Sequence, residues 1–240
     1  MDRMTLWTTA CALGCAVSSH AIAGFTPGGV SFAVTSSAGS ANANFSGAQI
    51  SSDSWSWTGN WAANGASVSW NAVPATWNGT TMSLGGNFVI RNSTASTQFF
   101  LIDILLPGSF SPGTEWRVGG SAALSMVNLS PDAGRLFAQG PLWSAMFDST
   151  TVGSLFSNAS ATVDPFFAAT LPSQSFGNPI PGQTFFGGVS SAARIRVGLN
   201  MTAGMEATIT SAFAAQFIPA PGAIAVLGLA TFAGSRRRRR

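Results

Sequence analysis

Between Gly24 and Phe217 the ionisable side chains are seven carboxylates (Asp53, Asp103, Glu115, Asp132, Asp148, Asp164, Glu206) and five arginines (Arg91, Arg117, Arg135, Arg194, Arg196). The two cysteines, Cys11 and Cys15, and the single histidine, His20, all precede this stretch, which also lacks lysine and tyrosine. Without imidazole, thiol or amine there is no Ser-His-Asp or Cys-His nucleophile, no imidazole or thiolate zinc site and no Schiff-base lysine. A carboxylate pair across a glycosidic bond is the one general acid–base route left open. None of the seven acids stands in a recognisable catalytic context, which favours reading them as solvated strand and loop residues. Asp132, in Pro131-Asp132-Ala133-Gly134, and Asp164 offer the oxygens that calcium takes, but no Asp-x-Asp-x-Asp spacing accompanies them. The residues therefore assign no catalytic group, no cofactor and no metal.

Tryptophan is the internal feature able to support binding. Five of the eight tryptophans fall between Trp55 and Trp77. Trp55, Trp57 and Trp61 are candidate glycan-binding residues, because aromatic faces stack on sugars as they do on bases. The competing expectation is that Trp at i and i+2, with Val68 and Trp70 alternating in the same way, fills the core of a sandwich. Burial decides between the two.

The elements that must hold such residues are strands. Turn signals such as Asn64-Gly65, Pro131-Asp132, Gly140-Pro141 and Pro181-Gly182 separate short runs rich in Val, Ile, Phe, Thr and Trp. An all-β fold follows, a β-sandwich of jelly-roll-like or Ig-like type. Arg194 to Met201 alternates with Ile195, Val197, Leu199 and Met201 on one face; Met205 to Phe217 alternates with Met205, Ala207, Ile209 and Phe213 inward. The two are expected to form a terminal hairpin. Thr97 to Leu106 is apolar on both faces except at Asp103, so it is expected to be central or covered on both sides. The best helical candidates are short, Leu142 to Phe147 and Ser154 to Ser157. Six Asn-x-Ser/Thr triplets begin at Asn44, Asn78, Asn92, Asn128, Asn158 and Asn200; in a chain so rich in Ser, Thr and Asn several arise by chance, and no role is assigned to them.

Both ends read as targeting segments, giving residues 1–23 as a signal peptide, 24–217 as the ectodomain and 218–240 as a C-terminal sorting signal. Arg3, the apolar run Met4 to Val17, and Ala21-Ile22-Ala23 before Gly24 fit export and cleavage. A lipoprotein signal ending at Cys15 is the weaker alternative, because the apolar run before it is short. Six of the eleven arginines, Arg3 and Arg236 to Arg240, lie in these ends, so the high pI of 10.1 does not describe the ectodomain. With no basic cluster there, no nucleic-acid partner is expected. At the other end, Pro219-Ala220-Pro221-Gly222 is followed by an apolar run from Ala223 to Ala233 and then by Arg236, Arg237, Arg238, Arg239 and Arg240. An apolar helix followed by clustered arginine is a membrane stop, with each arginine worth about 1 kcal/mol at an anionic leaflet. Pro219 to Ser235 is 17 residues, about 26 Å as helix against a hydrocarbon core of roughly 30 Å. That short span suits a segment that is recognised and cut, and a simple tail anchor is the other reading.

This tail resembles the PEP-CTERM sorting signal of bacterial exosortase substrates, in a variant with Ala220 where the commonest form has Glu. The segments Ile90 to Phe99 with Leu106-Pro107, Phe176 to Pro181, and Leu199 to Met205 are similar to parts of PEP-CTERM ectodomains, although Met205 replaces a frequent Asp. The resemblance implies export, a membrane-inserted precursor, and processing by an exosortase-like enzyme. It also implies attachment to the surface or extracellular matrix of an exopolysaccharide-producing Gram-negative-type bacterium, with polysaccharide as a partner and no enzymatic activity. The leading expectation is thus a non-catalytic surface or matrix protein; a carbohydrate-binding module and a carboxylate-dependent glycan hydrolase are the alternatives.

Overall fold

A computed structural model describes residues 31–44, 48–77, 81–107, 115–178, 180–186 and 192–218. The signal segment with Ala21 and Ala23, the sorting turn, the apolar run, Arg236 to Arg240 and Asn78 lie outside the described residues. Sixteen strands, numbered in chain order, form two eight-stranded antiparallel sheets. The first sheet holds β1 (Ser31–Ser36), β2 (Gly39–Asn44), β7 (Gln98–Pro107), β9 (Gly134–Phe137), β10 (Pro141–Phe147), β11 (Thr150–Ser157), β12 (Ser160–Val163) and β15 (Ala192–Met201). The second holds β3 (Ala48–Ser51), β4 (Ser54–Ala63), β5 (Ala66–Trp77), β6 (Thr81–Asn92), β8 (Glu115–Asn128), β13 (Ala168–Phe176), β14 (Gln183–Phe186) and β16 (Met205–Ile218). Their inner faces share one core built from alternate residues of most strands, β3 being exposed throughout, as the two-residue period of a half-covered strand requires. The all-β sandwich expectation is met at this level, with more strands than the seven to nine of an Ig domain or the eight of a jelly roll.

The expected terminal hairpin does not exist. β15 pairs with β7, β10 and β9, whereas β16 lies between β6 and β8 in the opposite sheet. Every inward residue named from the alternation is buried, but alternation says only which face meets the core, and a sandwich has two sheets that can supply that face. The link Thr202-Ala203-Gly204 is long enough to cross the roughly 10 Å between sheets. It is tied at both sides: Thr202 N donates to Arg135 O on β9, and Gly204 N to Asn92 O on β6. Gly204 has φ +71°, a conformation that glycine adopts without a Cβ penalty.

Leu142 to Phe147 and Ser154 to Ser157 are strands, not helices, within β10 and β11. The β10–β11 register shifts where Val152 of β11 is the extra residue, and Leu142, Trp143, Ala145, Met146 and Phe147 of β10 are all buried, which hides the two-residue period of that strand. β7 is central, between β1 and β15, but it is not covered on both sides. Phe100, Ile102, Ile104 and Leu106 are buried, while Phe99 is 40% exposed and Leu101, Asp103 and Leu105 are intermediate.

Four arches (β6 to β7, β8 to β9, β12 to β13 and β15 to β16) cross between the sheets at one end, and two asparagines hold that end together. Asn92 and Asn128 flank Met205 in register, and both are fully buried. Asn92 Nδ2 donates to Ser96 O (2.8 Å) and Met201 O (2.9 Å), while its Oδ1 accepts from Thr94 N and Thr94 Oγ1. Asn128 Nδ2 reaches Asp132 O (2.7 Å), Val163 O (3.1 Å) and Asp164 O (3.2 Å), and its Oδ1 accepts from Ser130 N and Ser130 Oγ. Two of the triplets given no role from sequence are therefore the same device used twice: the hydroxyl residue two positions on closes a local turn, and the amide ties that turn to a distant strand.

Candidate functional site

The tryptophans nominated for glycan binding are in the core. Trp55, Trp57 and Trp61 are 6%, 1% and 9% exposed, all on the inner face of β4, so none presents a ring face to a sugar. The packing explains why so many are needed. Gly59, which shares their face, leaves a gap that the indole of Trp70 on β5 fills; a Cβ at Gly59 would lie 2.6 Å from that ring. Trp70 in turn stacks on Phe32 of the opposite sheet, with centroids 4.8 Å apart and planes 9° from parallel. Large rings here bridge the two sheets, as core aromatics commonly do.

The acids lie at several places in the fold, and Asp132 and Asp164 meet at Asn128 through their backbones. Asp103 receives both arms of Arg196, Nε to Oδ1 at 2.8 Å and Nη2 to Oδ2 at 3.0 Å. That two-point hydrogen bond raises the guanidinium pKa above its ordinary value, against the opposing effect of partial burial. Because the folded value is the higher one, this contribution to stability persists through neutral pH and is lost only as pH rises through that alkaline range. Asp148 Oδ1 accepts from Ala192 N. The backbone carbonyls of Asp132 and Asp164 accept from Asn128. Glu115 and Glu206 sit near opposite ends of β16, opposite Ile218 and within its first two residues. No group of three or more His, Cys, Asp or Glu residues among the described residues could hold a metal ion.

A different arrangement, one that no local sequence signal announces, lies on the outer face of the first sheet. There Phe99 on β7, Asn200 on β15 and Phe137 on β9 stand side by side in register. One step along, Gly198 pairs with Leu101, and one step further Arg196 pairs with Asp103. Gly198 has no side chain, so the face dips between Phe99 and Leu101 on one side and Gln139 and Pro141 on the other. The result is a depression of about 510 Å³, with Arg196 and Asn200 along its length. Among the described residues, the side-chain amides of Gln139 and Asn200 make no hydrogen bond, and the Arg135 guanidinium lies 5.1 Å from the centre of the adjacent Phe137 ring. The nearest signal in the sequence is the glycine inside an otherwise regular strand, which marks a close approach or a gap.

No protein-family model matches the chain, and no curated protein sequence matches it. Among solved structures the chain is similar to TmCBM61 in complex with β-1,4-galactotriose, at 9% identity over 63% of this chain and 88% of that one, with a TM-score of 0.21. A likeness that slight carries no argument about ligand or site. Among the described residues, no helix is long and apolar enough to cross a membrane.

Proposed function

We propose that this chain is an exported, non-catalytic protein of the cell surface or extracellular matrix, delivered through its C-terminal segment. The observation that carries this reading is the order of that segment: the Pro-Ala-Pro-Gly turn, the apolar run and five arginines begin at Pro219, directly after Ile218, the last residue of β16. β16 is a central strand, paired to β8 through Ile218 itself, so no spacer separates the sandwich from the turn. The exported domain would sit against the membrane while the tail is attached and leave it when an exosortase-like enzyme cuts near Pro219 to Gly222. The non-catalytic part of the reading is supported by the residue inventory between Gly24 and Phe217 and by the engagement of Asp103 with Arg196.

Removing residues 219–240 tests delivery. The shortened chain is expected to cross the inner membrane and accumulate unattached, while the full chain fractionates with the cell surface or matrix. An unchanged distribution after that deletion would refute the proposal.

A further inference from the structure

We propose that the depression on the outer face of the first sheet binds a neutral oligosaccharide. This goes beyond the delivery reading and does not depend on it. The cavity of about 510 Å³ falls within the range of small-ligand sites. Its lining combines what a sugar requires: an apolar ring for the C–H face, and groups that both give and accept hydrogen bonds for hydroxyls. Phe99 supplies the ring, and the unengaged amides of Gln139 and Asn200 each offer one acceptor oxygen and two N–H donors. Arg196 adds a guanidinium fixed in place by Asp103, whose carboxylate offsets its charge.

The site is also built before any ligand arrives. The Phe99 backbone is held at both its N–H and its carbonyl by Ser37, with Phe99 N donating to Ser37 Oγ at 3.1 Å and Ser37 N to Phe99 O at 3.3 Å. Ser37 Oγ donates to Gln98, whose amide donates to Thr94 and Ser96 of the Asn92 turn. Asn200 and Gly198 sit on β15, paired across their length to β7. Little ordering is needed on binding, which is the condition under which a modest lining holds a ligand. Charge selects the class of sugar. The one charged residue lining the depression is Arg196, already compensated, so an uncharged saccharide is favoured over a uronate or a nucleotide.

Gly198 gives a clean test. Its φ is not in the left-handed region, and a Cβ there would meet Leu101 Cδ1 at 3.5 Å, an ordinary contact; Gly198→Val should fill the floor without straining the strand. The full chain, purified in detergent, would be titrated calorimetrically with β-1,4-galactotriose, cellotriose and maltotriose, and with trigalacturonate as the anionic probe. Expected is saturable binding of at least one neutral trisaccharide, weakened about tenfold or more by Gly198→Val and by Phe99→Ala at unchanged melting temperature. Gln139→Ala, at an exposed position, is the second variant should Gly198→Val fail to fold, with weakened binding again the expected result. The proposal is overturned if no neutral trisaccharide binds at about 10 mM, a concentration well above the Kd of a weak millimolar site. It is overturned equally if trigalacturonate alone binds, or if the folded variants bind as the parent does.

Discussion

Asn128→Ala is expected to lower the free energy of unfolding by about 3 kcal/mol or more, because it removes every hydrogen bond of a fully buried amide at once. The amide donates to the carbonyls of Asp132, Val163 and Asp164 and accepts from Ser130 at both N and Oγ, at a position with no solvent exposure. Each such bond is worth about 0.5–1.5 kcal/mol net, more at the buried Val163 carbonyl, and alanine replaces none of them. Asn128→Asp should be no better: it keeps the acceptor but loses the Nδ2 donors and sets a carboxylate against three carbonyl oxygens. Asn158→Ala is the control, since that side chain is exposed and its carbonyl accepts one bond, from Gly140 N at 3.2 Å; a loss within about 1 kcal/mol is expected. Urea denaturation of the three variants gives the comparison. Equal midpoints for Asn128→Ala and the parent would mean that the clasp is incidental to the arches.

Trp57→Ala is expected to cost about 3–5 kcal/mol, the range for removing a large aromatic from a packed core. Trp57 is 1% exposed within the ring cluster that joins β4 and β5 to Phe32 of the opposite sheet. Trp70 already occupies the space over Gly59 on that face, so the cavity left by Trp57 adds its own cost to the lost burial. Any loss of polysaccharide retention by Trp57→Ala would then follow loss of the fold. Phe99→Ala separates the two effects: its ring is 40% exposed, so melting should move little while sugar binding falls. If Trp57→Ala melted like the parent and lost only retention, the burial of the tryptophan row would not be its role.

What the sequence disclosed follows from what a two-residue period contains. It identified the buried faces of β15 and β16 residue by residue, because one side of each strand meets the core, but their assignment to opposite sheets depends on partners 100 or so positions away, such as Ile104 for Ile195. Leu142 to Phe147 and Ser154 to Ser157 lack a clean two-residue period, because β10 is buried on both faces and β11 carries an extra residue at Val152. The asparagine clasps were hidden by a coincidence of motif. Asn-Ser-Thr and Asn-Leu-Ser look like glycosylation triplets, whereas the informative pattern was an Asn with a hydroxyl residue two positions on, following a long strand, occurring twice. The tryptophan row was legible as a row, and only burial could separate core from surface. The depression was the least legible feature, since Phe99, Gln139 and Gly198 become neighbours only through the pairing of β7 with β15 and the placement of the β9 to β10 turn.

The central claim is delivery through the C-terminal segment, and the most direct test is the intact mass of the protein from its native host, taken separately from membrane and from matrix or medium. The account predicts a species beginning at Gly24 and ending between Pro219 and Gly222, recovered outside the inner membrane. A species still carrying Arg236 to Arg240 and confined to the membrane would contradict it, and would make the tail a permanent anchor.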